Sequence, residues 1–192
     1  MKVQENYTLA RCGREYAEAS LTMLRDIRVE LAQAGREELY CMEETDDEFR
    51  AFFSNPQTAV WGAICSSTKI LAAVGAVSFN SRETELFSSF LPPDLTLDQI
   101  GYVDFIQVAR PYRGAGLQRL LFQKIEEYSA ERGARLLTGV VSPKNSHSLA
   151  NFLGMGYRTV GSIRLKNGFP RLVAFKFLSA ASSDYSSKSS GE

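Results

Sequence analysis

The spacing of apolar residues divides the first half of the chain into short elements. Asn6 to Arg11 predicts a first strand. Ala17, Leu21, Leu24 and Leu31 then recur, with Arg28, at helical spacing up to Gly35, which predicts a helix. Thr45 or Asp46 can cap a second helix, whose Phe49, Phe52 and Phe53 share a face and which Asn55-Pro56 ends. Val60 to Cys65 and Ile70 to Phe79 are rich in small, β-branched and aromatic residues. Separated by Ser66-Ser67-Thr68-Lys69, they predict an antiparallel hairpin that includes Trp61 in its core. Residues 81–99 hold Pro92-Pro93 and scattered acids without a clean period, which predicts a long loop or irregular helix.

The second half has a different texture. Tyr102 to Val108 predicts a strand, Leu117, Leu120, Leu121, Ile125 and Tyr128 mark one helix face, and Leu136 to Val141 is almost continuously apolar, as a doubly covered strand would be. Such a strand–helix–strand unit is parallel and right-handed. A shorter helix from Ser146 to Leu153 presents Leu149 and Phe152 on one side, and strands near Tyr157 to Arg164 and Arg171 to Leu178 follow. The fold class is therefore α/β, with one domain over residues 1–178. Residues 179–192 are mostly serine, too poor in apolar groups to offset their ordering entropy, and predict a disordered tail.

Composition narrows the setting. A chain of 192 residues, 44% of them hydrophobic, buries one good core. Cys12, Cys41 and Cys65 are unclustered and lack ligand spacing, so neither a disulfide framework nor a zinc site is expected, and a reducing compartment fits. Met1 to Thr8 is polar, and no apolar run approaches the roughly 20 residues of a membrane span. A cytoplasmic protein without a membrane partner is expected. Zero net charge argues against a nucleic-acid binder that works through a basic field. The zero hides an asymmetry: residues 1–99 carry 16 acids against 9 bases, and residues 100–192 carry 6 against 13. Either the acidic segment Glu37 to Glu48 is a solvated face, or the second half holds an anion while the first faces a cation. A homodimer is left open by the sequence.

Between the strand ending at Val108 and the helix starting at Leu117 lies Arg110-Pro111-Tyr112-Arg113-Gly114-Ala115-Gly116. Glycines permit a tight path, the first helical N–H groups have no intrahelical acceptor, and the helix dipole favours negative charge, so this turn suits a phosphate. It equally suits a helix start that needs only close packing. There is no Gly-x-x-x-x-Gly-Lys-Ser/Thr run, and Gly114 to Arg119 lacks the third glycine of a dinucleotide fingerprint.

Together the element order and two motifs resemble the GNAT superfamily of acetyl-CoA-dependent N-acetyltransferases. The family's Gln/Arg-x-x-Gly-x-Gly/Ala motif is met at Arg113 and Gly116 and departs at Gln118, a longer side chain that can point outward from the helix start. Asn145, Ser148, Phe152, Gly156 and Tyr157 match the second block. The resemblance implies a central mixed sheet of about six to seven strands flanked by about four helices, its parallel fourth and fifth strands splayed by a bulge. It further implies acetyl-CoA as cosubstrate and no metal. The backbone of Ile106, Gln107 and Val108 would pair with the pantetheine arm, as an added strand would. The pyrophosphate would lie on Arg113, Gly114, Ala115, Gly116, Leu117 and Gln118, with Asn145, Ser148 and Phe152 around the pantetheine end. Arg110, Arg119 or Lys144 could meet the 3′-phosphate.

The chemistry implied is direct attack of a primary amine on the thioester. An alkylamine has a pKa of about 10.4, so a base must take its proton, and Asp104 stands where family members commonly carry one. Glu83, Glu85, Asp94 and Asp98 are reserve candidates. Phe152 occupies the position of the family's usual tyrosine acid and cannot donate a proton; Tyr157 and Tyr102 are the phenols that could compensate, or else core aromatics. His147, the only histidine, reads as a polar first-turn residue or a cofactor contact. Residues 30–50 and 79–99 would line the acceptor groove, where Glu37, Glu38, Glu43, Glu44, Asp46, Asp47 and Glu48 could attract a polyamine, an aminoglycoside or a basic peptide terminus. The missing tyrosine motivates the alternative of a non-catalytic acyl-CoA-binding sensor or interaction module.

Overall fold

Helix α1 (Ala17–Gln33) buries Leu21 and Leu24, and α2 (Asp46–Ala51) buries Phe49 against the Phe105 ring, 5.2 Å between centroids. Thr45 is the cap of α2. Its backbone N–H donates to the Glu48 carboxylate at 2.8 Å and its hydroxyl accepts from Glu48 N–H, so a short helix has a firm start. These elements belong to a computed structural model that describes residues 6–40, 44–81, 86, 88–165 and 167–178. Cys41, Glu43, Glu83, Glu85 and the predicted tail 179–192 lie outside the described residues.

Among the described residues seven strands form one sheet: β1 (Tyr7–Arg11), β2 (Thr58–Cys65), β3 (Leu71–Phe79), β4 (Ile100–Val108), β5 (Leu136–Val141), β6 (Arg158–Arg164) and β7 (Pro170–Phe177), in the order β1-β2-β3-β4-β5-β7-β6. Only β4 and β5 run parallel, joined by the crossover helix α3 (Leu117–Glu131); α4 (Ser146–Gly154) follows β5. Strand β3 shows the two-layer burial. Val74 and Ala76 pack with Leu21, Leu24 and Phe49 on the α1/α2 face, and Val77 packs with Phe122, Ile125 and Phe152 on the α3/α4 face. The mixed sheet, the parallel pair and the four helices are as expected.

Strand β2 begins at Thr58, earlier than its apolar run. The Thr58 hydroxyl lies 2.9 Å from the Ser78 hydroxyl across the β2–β3 ladder, so two polar residues are satisfied inside. Among the described residues no helix is long and apolar enough to cross a membrane.

Candidate active site

The site begins with one extra residue. Between β3 and β4, Ala76 pairs with Phe105 and Val77 with Val103, leaving Asp104 as the bulged residue of β4. A bulge bends its strand and raises the local twist. The consequence appears on the other side of β4, whose pairing with β5 is confined to Ile100–Leu136, Gly101–Leu137 and Tyr102–Thr138. Strand β5 continues against β7 to Val141. Beyond Tyr102 the two parallel strands therefore part, and their facing edges keep backbone donors and acceptors outside any mutual ladder. A wedge of rings fills the base of the gap. A Cβ on Gly139 would lie 3.2 Å from Phe152 Cζ, so the glycine admits that ring, which packs edge-on against Phe122 and Tyr157 at 4.9 and 5.0 Å.

The gap opens into a cleft of about 160 Å³. Its walls come from Val103 to Ile106 of β4 and Val140 to Ser142 of β5. Helix α3 contributes Gln118 and Phe122, the start of α4 contributes Asn145, His147, Ser148 and Phe152, and Leu39 and Tyr40 close the far side. Asp104, Ile106, Gln118, Asn145, Ser148 and Phe152 are thus brought together. Gln107 is buried, its Nε2 donating to Tyr40 Oη at 2.8 Å, and the Val108 carbonyl accepts from Arg113 Nε at 3.3 Å. Asn145 is the cap of α4: its Oδ1 accepts from Ser148 N–H at 3.0 Å while its Nδ2 donates to the Leu39 carbonyl at 3.1 Å.

At the cleft's edge stands the glycine turn. Gly114 and Gly116 have φ of 81° and 76°, a region that side chains rarely adopt, and space around both is open. The N–H groups from Gly114 to Gln118 donate to no backbone carbonyl among the described residues. They are a row of donors at the positive end of α3, which fits a phosphate. Two side chains differ from simple expectation. Arg113 Nη1 sits 2.8 Å from Glu30 Oε1, and this hydrogen bond holds the Glu30 carboxyl below its ordinary pKa. Gln118 does not point outward: it lines the cleft, its Oε1 accepting from Asn151 Nδ2 at 2.7 Å.

The segment Glu37–Tyr40 lies across this cleft and is tied down at successive residues. Lys144 Nζ reaches Glu38 at 3.4 Å, Asn145 holds Leu39, and Arg171 Nη2 donates to the Tyr40 carbonyl at 3.0 Å. Arg171 is 0% exposed. A second cavity of about 370 Å³ lies beside the first and is walled by α2, the end of β3 and Asp104. Asp104 therefore borders both spaces. Its Oδ2 accepts from Ser78 Oγ at 2.8 Å, and Ser78 in turn meets Thr58.

With this geometry in place, the sequence profile described as "Acetyltransferase (GNAT) family" matches residues 24–157. The chain belongs to the GNAT family of acetyltransferases. No curated protein sequence matches it as a relative. Solved structures agree in fold. The Arabidopsis thaliana NAA60 protein in complex with acetyl-CoA superposes with a TM-score of 0.72 at 14% identity, covering 90% of this chain and 98% of that one. The ribosomal-protein-S18-alanine N-acetyltransferase of Escherichia coli gives 0.66 at 14% identity over 93% and 98%. A GCN5-related N-acetyltransferase from Kribbella flavida gives 0.68 at 20% identity over 90% and 98%.

Within this GNAT chain, the two described reserve candidates fall away from the cleft. Asp94 is exposed and 3.7 Å from Arg135, just before β5, and Asp98 precedes β4, so both stand at the end of the sheet where the parallel strands are still paired. Tyr102 and Tyr157 are core aromatics and line neither cavity. Burial, with Glu126 beside it, pushes the Tyr157 phenol well above its ordinary pKa. The acidic segment divides: Asp46 pairs with Arg25 and Asp47 with Arg50, whereas Glu44 and Glu48 line the second cavity. Leu39 and Tyr40 fall within the segment 30–50 expected to line the groove but were not singled out, and Ser78 lies one residue before the segment 79–99.

Proposed function

We propose that this chain transfers an acetyl group from acetyl-CoA to a primary amine. The observation that carries the reading is Asp104, the bulged residue bordering both the cleft between the parted strands and the acid-walled cavity. The cleft would take the extended pantetheine arm between the parted edges of β4 and β5, with Ile106, Gln107 and Val108 offering backbone groups as to an added strand. The row of N–H groups from Gly114 to Gln118 would take the pyrophosphate, with Arg113 released from Glu30 to assist. Asn145 and Ser148 would flank the arm, and Phe152 would pack against its thiol end.

An amine of pKa about 10.4 is protonated at neutral pH, and freeing it costs about 4.6 kcal/mol at pH 7. Asp104 accepts that proton, directly or through water. The amine nitrogen then attacks the acetyl carbonyl carbon, a C–N bond forms, the nitrogen gives its second proton to water, and the C–S bond breaks with its electron pair leaving on sulfur. Backbone N–H groups of the parted strand stabilise the negative charge that grows on the carbonyl oxygen. A thiol pKa of about 8.5 lets the sulfur leave as thiolate and take a proton from water, so Phe152 is tolerable where a donor is usual.

Incubation with acetyl-CoA and a pooled amine panel tests this: amine-dependent thiol release and a product heavier by one acetyl group are expected. Acetyl-CoA binding without amine-dependent release would instead support the sensor reading, which Phe152 favours.

A further inference from the structure

Strands β2 and β3 are apolar almost throughout, and their only side-chain hydroxyls are Thr58 and Ser78. The register sets these two directly opposite each other. Both are buried, 5% and 7% exposed, and their oxygens lie 2.9 Å apart, with Ser78 Oγ a further 2.8 Å from Asp104 Oδ2. The bulge brings in this third member. Along a regular strand Val103 and Phe105 would share a face, yet Val103 packs on the α3/α4 face and Phe105 on the α1/α2 face. The extra residue between them is Asp104, whose carboxylate meets Ser78 of the neighbouring strand.

Proton counting gives the chain a direction. A hydroxyl has one proton to donate, and an ionised carboxylate has none. Ser78 points its O–H at Asp104, so its oxygen accepts the O–H of Thr58. Among the described residues Thr58 Oγ1 has no partner beyond Ser78. The chain thus ends inside the sheet, where it can hold the carboxylate but does not lead a proton out. We infer that Ser78 and Thr58 are positioning residues for the transfer, Thr58 fixing the Ser78 hydroxyl and Ser78 fixing the plane of the Asp104 carboxylate. The inference rests on the reading of Asp104 as proton acceptor. It holds whatever else Asp104 touches, because an ionised carboxylate has about four lone-pair sites. The carboxylate turns about two side-chain bonds, and a reacting group displaced by about 1 Å can lose about a hundredfold in rate. Ser78 also lines the second cavity, whereas Thr58 lines neither cavity, so an effect of Thr58 on the rate passes through Ser78.

The test reads kcat by thiol release at saturating acetyl-CoA with the amines of the panel. Ser78→Ala is expected to lower kcat about tenfold. Thr58→Val, which keeps the side chain's shape and removes the hydroxyl, is expected to lower it about threefold, and Thr58→Ser, which keeps the hydroxyl, to recover most of that loss. KM for acetyl-CoA and the circular dichroism spectrum are expected to hold. In an Asp104→Asn background the same two changes should cost less than about twofold further, because the base they position is gone; a merely structural role would repeat its full factor there. A kcat for Ser78→Ala or Thr58→Val within about 1.5-fold of the parent, or equal factors in both backgrounds, overturns the inference and leaves Asp104 as the base. Full activity in Asp104→Asn alone, or no turnover of any amine by the parent, removes the reading beneath it and the inference as well.

Discussion

Asp104→Asn isolates the proton-transfer step. The amide has the carboxylate's shape, and its oxygen can still accept from Ser78 Oγ, the contact that the carboxylate makes at 2.8 Å. Exchanging a charge-assisted hydrogen bond for a neutral one costs about 1 kcal/mol of stability. Losing a general base costs about 10²–10⁴ in rate, or about 3–5 kcal/mol of barrier, so activity falls far more than the fold weakens. The pH profile identifies the cause. At pH 7 only about one amine in 2,500 of pKa near 10.4 is unprotonated, and that fraction grows about tenfold per pH unit. The variant must wait for free amine, so its rate is expected to climb with that slope from about pH 7 to 9, while the parent stays flatter and the gap narrows by up to about a hundredfold. The assay is thiol release at saturating acetyl-CoA and low amine, with acetyl-CoA affinity measured by calorimetry and expected to hold. A gap under about fivefold at pH 7, or one constant across the range, refutes the role of Asp104 as proton acceptor.

Three other outcomes are expected. Gly139→Ala places a Cβ 3.2 Å from Phe152 Cζ and 3.5 Å from Val103 Cβ, so the ring must shift at the base of the cleft; acetyl-CoA affinity drops in calorimetry, and denaturant melts show a loss of about 1 kcal/mol. Arg171→Met removes a fully buried guanidinium that no acid neutralises in the described contacts. The apolar side chain spares the cost of burying a charge, while the Tyr40 and Pro170 carbonyls lose this donor at about 1–3 kcal/mol each where they stay unsatisfied, so the two effects oppose each other in Tm and KM for the amine increases. Glu18, Glu30 and Asp46, each accepting from an arginine, and Glu38, through its backbone N–H and Lys144, all titrate below their ordinary values of 4.5 and 3.8. A carboxyl depressed in the folded state stabilises it above the unfolded pKa and loses that contribution as pH falls. Tm is therefore expected to decline below about pH 4.5, and less steeply in high salt because these pairs are solvent-exposed.

The sequence was most informative where structure is local. Leu21 and Leu24 in α1, and Leu117, Leu121 and Ile125 in α3, bury on the face that their spacing predicted. Thr45 caps α2 through a bond to a residue three positions on, and the glycine turn opens α3 at Gly116 as its composition required. Each depends on atoms within one turn of chain, so residue type alone specifies it.

Tertiary structure decided the rest. Asp104 as a strand residue was legible, but its bulge exists only because Ala76 and Val77 pair on either side of it, a matter of register with a strand more than twenty residues earlier. Ser78 beneath its carboxylate, and Gln118 turned into the cleft, follow from the same packing. The place of β7 between β5 and β6, and the bond from Arg171 to a carbonyl 131 residues away, leave no periodic trace. Helical faces and caps are selected by short-range geometry. The position of the candidate catalytic carboxylate between two cavities is selected by which distant strands and helices pack together, and only the folded chain makes that choice.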